Sequence, residues 1–206
     1  MQVTLSAVAI SCVIGLPLGA AVGMFRFPGR TAVALTLNAL MGLPPVVVGL
    51  TVYLMLSATG PFGPLQLLYT PAAMIIAQVI LVTPIIAALT RQVVEDLEAE
   101  YRDQFASMGI GPGPRMWALL WDGRYSLLTA VLAGFGRAVA EVGAILIVGG
   151  NINHLTRVMT TAIALETSKG NLELALALGL ILLAIAMAVN AAVMAIRSSA
   201  RRMAYV

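Results

Sequence analysis

Charge is scarce in this chain. Of its 206 residues only 10% are Asp, Glu, Lys or Arg, where soluble domains average about 25%. One cysteine, Cys12, excludes a disulfide framework, and its lone position leaves the redox compartment open. One histidine, His154, and that one cysteine are too few for a protein metal cage. The single lysine, Lys169, follows Ser168 and precedes Gly170. A phosphate-binding P-loop needs Gly-Lys-Ser/Thr, so no ATPase motif is present and no catalytic residue is expected. The first apolar run is not expected to be a cleaved secretory signal, since it has no basic lead and is too long for a typical h-region.

What the chain has is apolar length. Hydrophobic residues make up 60%, and mean hydropathy is +0.97. Five apolar stretches cover about residues 3–25, 31–58, 69–90, 125–148 and 172–196. A helix of about 20 apolar residues crosses a hydrocarbon core near 30 Å thick, and each stretch is long enough. The composition predicts an all-α integral membrane protein, a single transmembrane domain over residues 1–206. One polar segment, about residues 91–124, interrupts the spans.

The few charges are placed unevenly. Arg26 and Arg30 follow the first stretch. Arg91, Arg102, Arg115 and Arg124 follow the third, and Arg197, Arg201 and Arg202 follow the fifth. Five crossings put all three places on one side, and the opposite loops hold only Arg157 and Lys169. The positive-inside rule makes the basic side cytoplasmic, with the N-terminus outside and the C-terminus inside. The expected location is the cell (cytoplasmic) membrane, multi-pass.

Within the spans, Gly15, Gly19 and Gly23 recur every four residues, a small-residue face for close helix packing. Gly42, Pro44, Pro45 and Gly49 predict a kink or break in the second stretch, since adjacent prolines remove two backbone donors. Broken helices at membrane depth tend to line cavities. Gln78, Thr83 and Pro84 should face protein rather than lipid. Arg137 and Glu141 are the costliest residues, on the order of 2.5–3.5 kcal/mol each at mid-bilayer. Four residues apart on one helix, they can pair. Two readings stand: an ion pair that fixes packing, or charges on a solute path or gate. After His154, read as a loop residue, the run Val158 to Leu165 is too short to cross and reads as a re-entrant or interfacial helix. Thr156, Thr160 and Thr161 there can cap it or offer hydroxyls to a solute.

The polar segment predicts an amphipathic helix over Arg91–Met108. Val94, Leu97, Tyr101, Phe105 and Met108 form one apolar stripe, and Glu95, Asp96, Glu98, Glu100 and Asp103 decorate the remainder. Gly109-Ile110-Gly111-Pro112-Gly113-Pro114 forces a turn, and a short helix over Arg115–Trp121 follows. A stripe facing water wants a groove in a partner.

Asp103-Gln104-Phe105-Ala106-Ser107-Met108-Gly109 resembles the coupling loop of permease subunits in ABC importers, Asp103 standing for the family's Glu and Gly109 for its Gly. Gln104 and Phe105 replace two alanines, and Trp121 and Asp122 replace a terminal Leu-Pro. Met41-Gly42-Leu43-Pro44-Pro45-Val46-Val47-Val48-Gly49-Leu50 is similar to the second core span of tungstate permeases. Gly136-Arg137-Ala138-Val139-Ala140-Glu141-Val142-Gly143-Ala144 is similar to their fourth, and Thr156 through Gly170 to their outer short helix. Molybdate permeases share the Arg-x-x-x-Glu-x-Gly core, while the Val158-Met159-Thr160-Thr161-Ala162-Ile163 run is closer to the tungstate branch. The family's N-terminal lead-in does not precede the first span in this sequence, which leaves open whether the natural N-terminus extends upstream.

The resemblance implies a five-span type I ABC importer permease core with an outer short helix and a cytoplasmic coupling helix. It implies a homodimer, two ABC ATPase subunits, an extracytoplasmic oxyanion-binding protein and surrounding lipid, with no nucleic acid. ATP and Mg would sit on the partner subunit, and this chain would hold no cofactor or metal. Coupling is expected at Asp103, Phe105, Ala106, Met108 and Gly109. Pro44, Pro45, Arg137, Glu141, Thr160 and Thr161 are expected at the translocation path or gate. Molybdate or sulfate in place of tungstate remains the first alternative. A secondary transporter would show repeats and several intramembrane titratable groups, neither of which is present. A membrane enzyme would need a nucleophile with a base, and Cys12 and His154 stand far apart in the chain.

Overall fold

The glycine face of the first stretch is used as its spacing suggests. In the computed structural model, helix α1 (Gln2–Met24) lays Gly15 against Thr83 and Ile86, Gly19 against Ala87 and Thr90, and Gly23 against Arg91 and Val94. All the facing residues belong to helix α4 (Pro71–Ser107). A Cβ at Gly19 would lie 2.7 Å from Thr90 Cβ, closer than real side chains come. Hydrogen at the α-carbon therefore sets the α1–α4 separation, in keeping with packing where lipid supplies no hydrophobic drive.

The structure describes the backbone of residues 1–204 and the side chains of residues 1–195. The side chains of Arg197, Arg201 and Arg202 lie outside that set. The described residues contain helices and turns and no strand. Besides α1 and α4, the helices are α2 (Arg30–Met41), α3 (Pro45–Leu56), α5 (Pro112–Asp122), α6 (Arg124–Val139), α7 (Gly143–Gly149), α8 (Met159–Ser168) and α9 (Leu172–Ala204). Three helices, α1, α4 and α9, are each long and apolar enough to cross a membrane. The pairs α2–α3 and α6–α7 each pass the same test taken together, which brings the count to as many as five.

Both pairs are bent. The α2–α3 break turns the chain by 100°. Its cause is the one expected: Leu43 and Pro44 lie outside either helix, and Pro45 opens α3 where its missing N–H costs nothing. The α6–α7 bend of 57° is marked by no proline, and it divides the fourth stretch, 125–148, between two helices. The expectation that Arg137 and Glu141 share one helix face is corrected with it. Helix α6 ends at Val139, and Glu141 lies in the bend.

A second correction concerns the boundary at Arg91. The third apolar stretch and the amphipathic helix are one unbroken helix of 37 residues, α4. Pro84 is tolerated inside it, as prolines are in membrane helices whose neighbours satisfy the freed groups.

The contacts divide the chain into two units. One holds residues 4–44 and 79–138, with a core in which Val22 and Leu37 meet Ala87 and Ala88, and Gly134 lies against Val82 and Ile86. The other holds residues 1–3, 45–78 and 139–206. There Gly49 of α3 takes Ala144 of α7 at close range, Gly149 abuts Met74, and α8 packs on α9. Tyr69 donates its N–H to the Val148 carbonyl at 2.9 Å and meets the Tyr53 ring edge-on. Helix α9 otherwise exposes Leu176, Leu180, Leu183 and Met187, a surface suited to lipid or to another membrane helix.

Candidate functional site: two helix breaks and a helix–turn–helix

A broken helix leaves carbonyls and N–H groups without ladder partners, and in lipid each must find one. At the α2–α3 break, Arg137 Nη2 donates to the Leu43 carbonyl at 3.2 Å. Arg137 is half-buried on the last turn of α6. Its charge is thus bound to backbone, and a hydrogen bond to a charged group contributes about 1.5–3 kcal/mol.

At the α6–α7 break, Glu141 is 4% exposed, and its Oε1 accepts the Ala144 N–H at 3.0 Å. Ala144 is the second residue of α7, so the carboxylate satisfies one of the orphan donors at that helix start. Thr160 of α8 donates its hydroxyl to the Glu141 backbone carbonyl at 3.0 Å. Thr161 stays local. It accepts the Val158 N–H at 3.1 Å and donates to the Val158 carbonyl at 3.0 Å, holding the first turn of α8. Thr156 closes the far end of α7, donating to the Gly149 carbonyl and accepting the Ile152 N–H. Glu141, Thr156, Thr160 and Thr161 are therefore all buried with a bond made. Pro44 is exposed and Pro45 half-buried. His154 sits exposed in the loop before α8, as expected.

The helix–turn–helix of α4 and α5 is built on a glycine stop. Gly109 takes φ +62°. Its N–H bonds the Ala106 carbonyl at 3.2 Å, and the Ile110 N–H bonds Phe105 at 3.1 Å. That pair is a Schellman stop, with Ile110 packed into the same cluster as Phe105. Pro112 then opens α5. Helix α5 folds back on α4. Leu119 is fully buried in one cluster with Val94, Phe105 and Ala20, and Leu97, Tyr101, Met116 and Leu120 flank it. Arg115 grips both oxygens of Glu98, its Nε at 2.7 Å from Oε2, and lies 5.2 Å from the Phe105 ring centre. Tyr101 donates to Asp122 at 3.1 Å.

This changes the reading of the stripe. Most of the apolar face of α4 is covered by the chain's own α5, and Phe105, expected at a partner contact, is 8% exposed. The sequence shows a stripe but not what covers it. Asp103, Ala106, Met108 and Gly109 remain exposed around the turn. Two residues outside the expected set join them as exposed: Trp117 and Trp121 of α5, at 69% and 62%. Their four-residue spacing places them on one helix face, and that spacing could have found them. Arg124 lies over the Trp121 ring at 4.9 Å.

Apolar helices of spanning length, with two bent helix pairs whose bends are held by polar side chains, are those of a multi-pass membrane protein. The comparisons carry the particulars. No family model matches the chain. A "probable anion ABC transporter permease protein" of Haloferax volcanii is 43% identical over 93% of this chain and 84% of its own length. The tungstate uptake system permease protein of Peptoclostridium acidaminophilum is 40% identical with the same coverage. That of Campylobacter jejuni is 37% identical over 81% of this chain and 70% of its own length. Sulfate transport permeases match at lower identity. The chain belongs to the permease subunits of ABC transporters, in the branch that includes these tungstate uptake permeases.

Proposed function

We propose that this chain is the membrane-spanning subunit of an ATP-driven importer of a tetrahedral oxyanion, tungstate. The observation that carries this reading is the 40% identity to a tungstate uptake permease across nearly the whole chain. Molybdate and sulfate are the alternatives of the same architecture, and the lower identity of the sulfate permeases favours tungstate.

The chain has no P-loop, so energy enters through ATPase subunits that carry ATP and Mg. Their contact is the exposed outer surface of the helix–turn–helix: Asp103, Ala106, Met108 and Gly109, extended to Trp117 and Trp121. Phe105 acts one layer below, holding α5 to α4. A partner that pushes α5 moves α4 with it, because Leu119 and the Arg115–Glu98 pair tie the two together. The pair of subunits in the complex are two copies of this chain, and an extracytoplasmic binding protein delivers the anion. The basic loops put the helix–turn–helix and the C-terminus in the cytoplasm and the N-terminus outside.

Pro44, Pro45, Arg137, Glu141, Thr160 and Thr161 belong to the path or gate through the backbone they hold at the two breaks. Motion between inward- and outward-facing states needs a two-state element that each partner biases. At each break a side chain bonds a backbone group that the bend frees: Arg137 the Leu43 carbonyl, Glu141 the Ala144 N–H.

The test is uptake by the reconstituted complex. Trp117→Ala with Trp121→Ala, and separately Met108→Asp, change exposed side chains and should abolish uptake while the protein stays inserted and folded. Normal uptake in both removes the contact. Uptake or nucleotide hydrolysis by the isolated chain removes the whole reading. Competition among tungstate, molybdate and sulfate decides the solute.

A further inference from the structure

A polar cavity of about 200 Å³ opens beside the C-terminal end of α1. It is lined by Gly23, Met24, Arg26, Arg30, Glu95, Glu98 and Arg102, all within one unit. Three arginines and two glutamates suggest near-neutrality, but the bonding pattern does not. Glu95 gives one oxygen to Arg30 and the other to Arg91, the latter at 2.5 Å. Glu98 gives both oxygens to Arg115. No oxygen of either carboxylate is left without a cation.

The negative end of α1 is also covered. Arg30 Nε donates to the Val22 carbonyl at 2.7 Å and Nη2 to that of Gly23 at 2.8 Å. Arg30 Nη1 carries no hydrogen bond among the described residues. Arg26 and Arg102 have neither a hydrogen-bond nor an ion partner among them. The cavity therefore presents three guanidiniums with donors to spare around a volume far above the roughly 10–15 Å³ that admits one water. Guanidinium forks match tetrahedral oxyanions in shape and charge.

We propose that this cavity binds one tetrahedral oxyanion group: the phosphate of an anionic lipid headgroup, or free phosphate. The cavity's lining shares no residue with the helix breaks, and the site does not depend on which solute the permease carries. Arg26 and Arg102 supply the anion's bonds. Arg30, pinned by Glu95 and the α1 carbonyls, supplies a fixed donor.

The experiment uses the full chain in nanodiscs of phosphatidylcholine, alone or doped with phosphatidylglycerol. Inorganic phosphate is titrated calorimetrically in the first case, and retained phosphatidylglycerol is counted by native mass spectrometry in the second. Both are repeated with Arg26→Gln plus Arg102→Gln. These exposed, unpartnered side chains can be changed without touching the core, and an unchanged melting temperature checks that. Binding in one arm that the double variant weakens by roughly tenfold per arginine supports the site, and the arm that responds names the source. Absence of binding in both arms, or binding the double variant leaves unchanged, overturns it. Uptake by the double variant would stay intact in either case, which separates this site from the transport reading.

Discussion

Arg137 and Leu43 are 94 positions apart in sequence, and the guanidinium of one caps the carbonyl of the other at 3.2 Å. The carbonyl sits next to Pro44 and Pro45, where the second span gives up its helical ladder. A residue that hydropathy marks as the least welcome in its span is thus held by the span that most needs a donor. We expect Arg137→Leu to destabilise the protein by about 1.5–3 kcal/mol, the size of a hydrogen bond to a charged group. Thermal unfolding in detergent measures this, and uptake should fall with it. Unchanged stability and uptake together would make the bond idle.

Thr160 offers a finer probe. Thr160→Val keeps shape and removes the hydroxyl that bonds the buried Glu141 carbonyl. Leaving that acceptor unpaired should cost about 1–3 kcal/mol. Thr160→Ser should restore most of it. Equal losses in the two variants would point to packing of the methyl group instead.

The glycine positions predict opposite signs. Gly19→Ala puts a methyl group 2.7 Å from Thr90 Cβ and forces α1 off α4, a loss of about 1–3 kcal/mol. Gly136, inside α6 with open space about its α-carbon, should gain about 0.5–1 kcal/mol on mutation to Ala. Melting temperatures of the two variants should therefore move in opposite directions.

Arg115→Leu leaves Glu98 buried without its cation. Breaking a buried pair in this way costs about 3–5 kcal/mol, less here because Arg115 keeps 21% of its side chain exposed. Helix α5 should loosen before the membrane helices do. Limited proteolysis at the Gly109–Gly113 turn reads this directly, and a cleavage rate equal to the unaltered protein would rule it out.

The C-terminal end of α8 predicts a pH effect. Lys169, 2.7 Å from Glu166, holds that carboxyl below the usual carboxylate range, with Asn171 helping. A carboxyl lowered in the folded state stabilises above its unfolded value, and that contribution is lost as pH falls through the folded value. The loss should lie wholly on the acid side of the ordinary Glu value. Lys169→Ala should move the Glu166 titration upward, as followed by carbon NMR of the carboxyl.

Much of this was legible beforehand. The spacing of Gly15, Gly19 and Gly23 announced a close helix contact, and Pro44-Pro45 announced a break, because glycine and proline act on the backbone locally. The second break was not legible. Ala140-Glu141-Val142 contains no proline, and the bend is held by Thr160, 19 residues further along. The stripe of α4 was legible as a pattern, but its partner was not, since Leu119 and Arg115 lie beyond a turn whose direction no periodicity encodes.

By itself, the sequence determined that this chain lives in lipid, how many apolar stretches it has and where glycine stops α4, because hydropathy, length and backbone freedom are properties of single residues and short windows. Only the tertiary structure decided that Phe105 is interior, that Trp117 and Trp121 are outward, and that Glu141 serves the start of α7. Those outcomes rest on which distant groups meet, and a buried polar group or apolar face takes whichever partner the packing of other helices brings within reach.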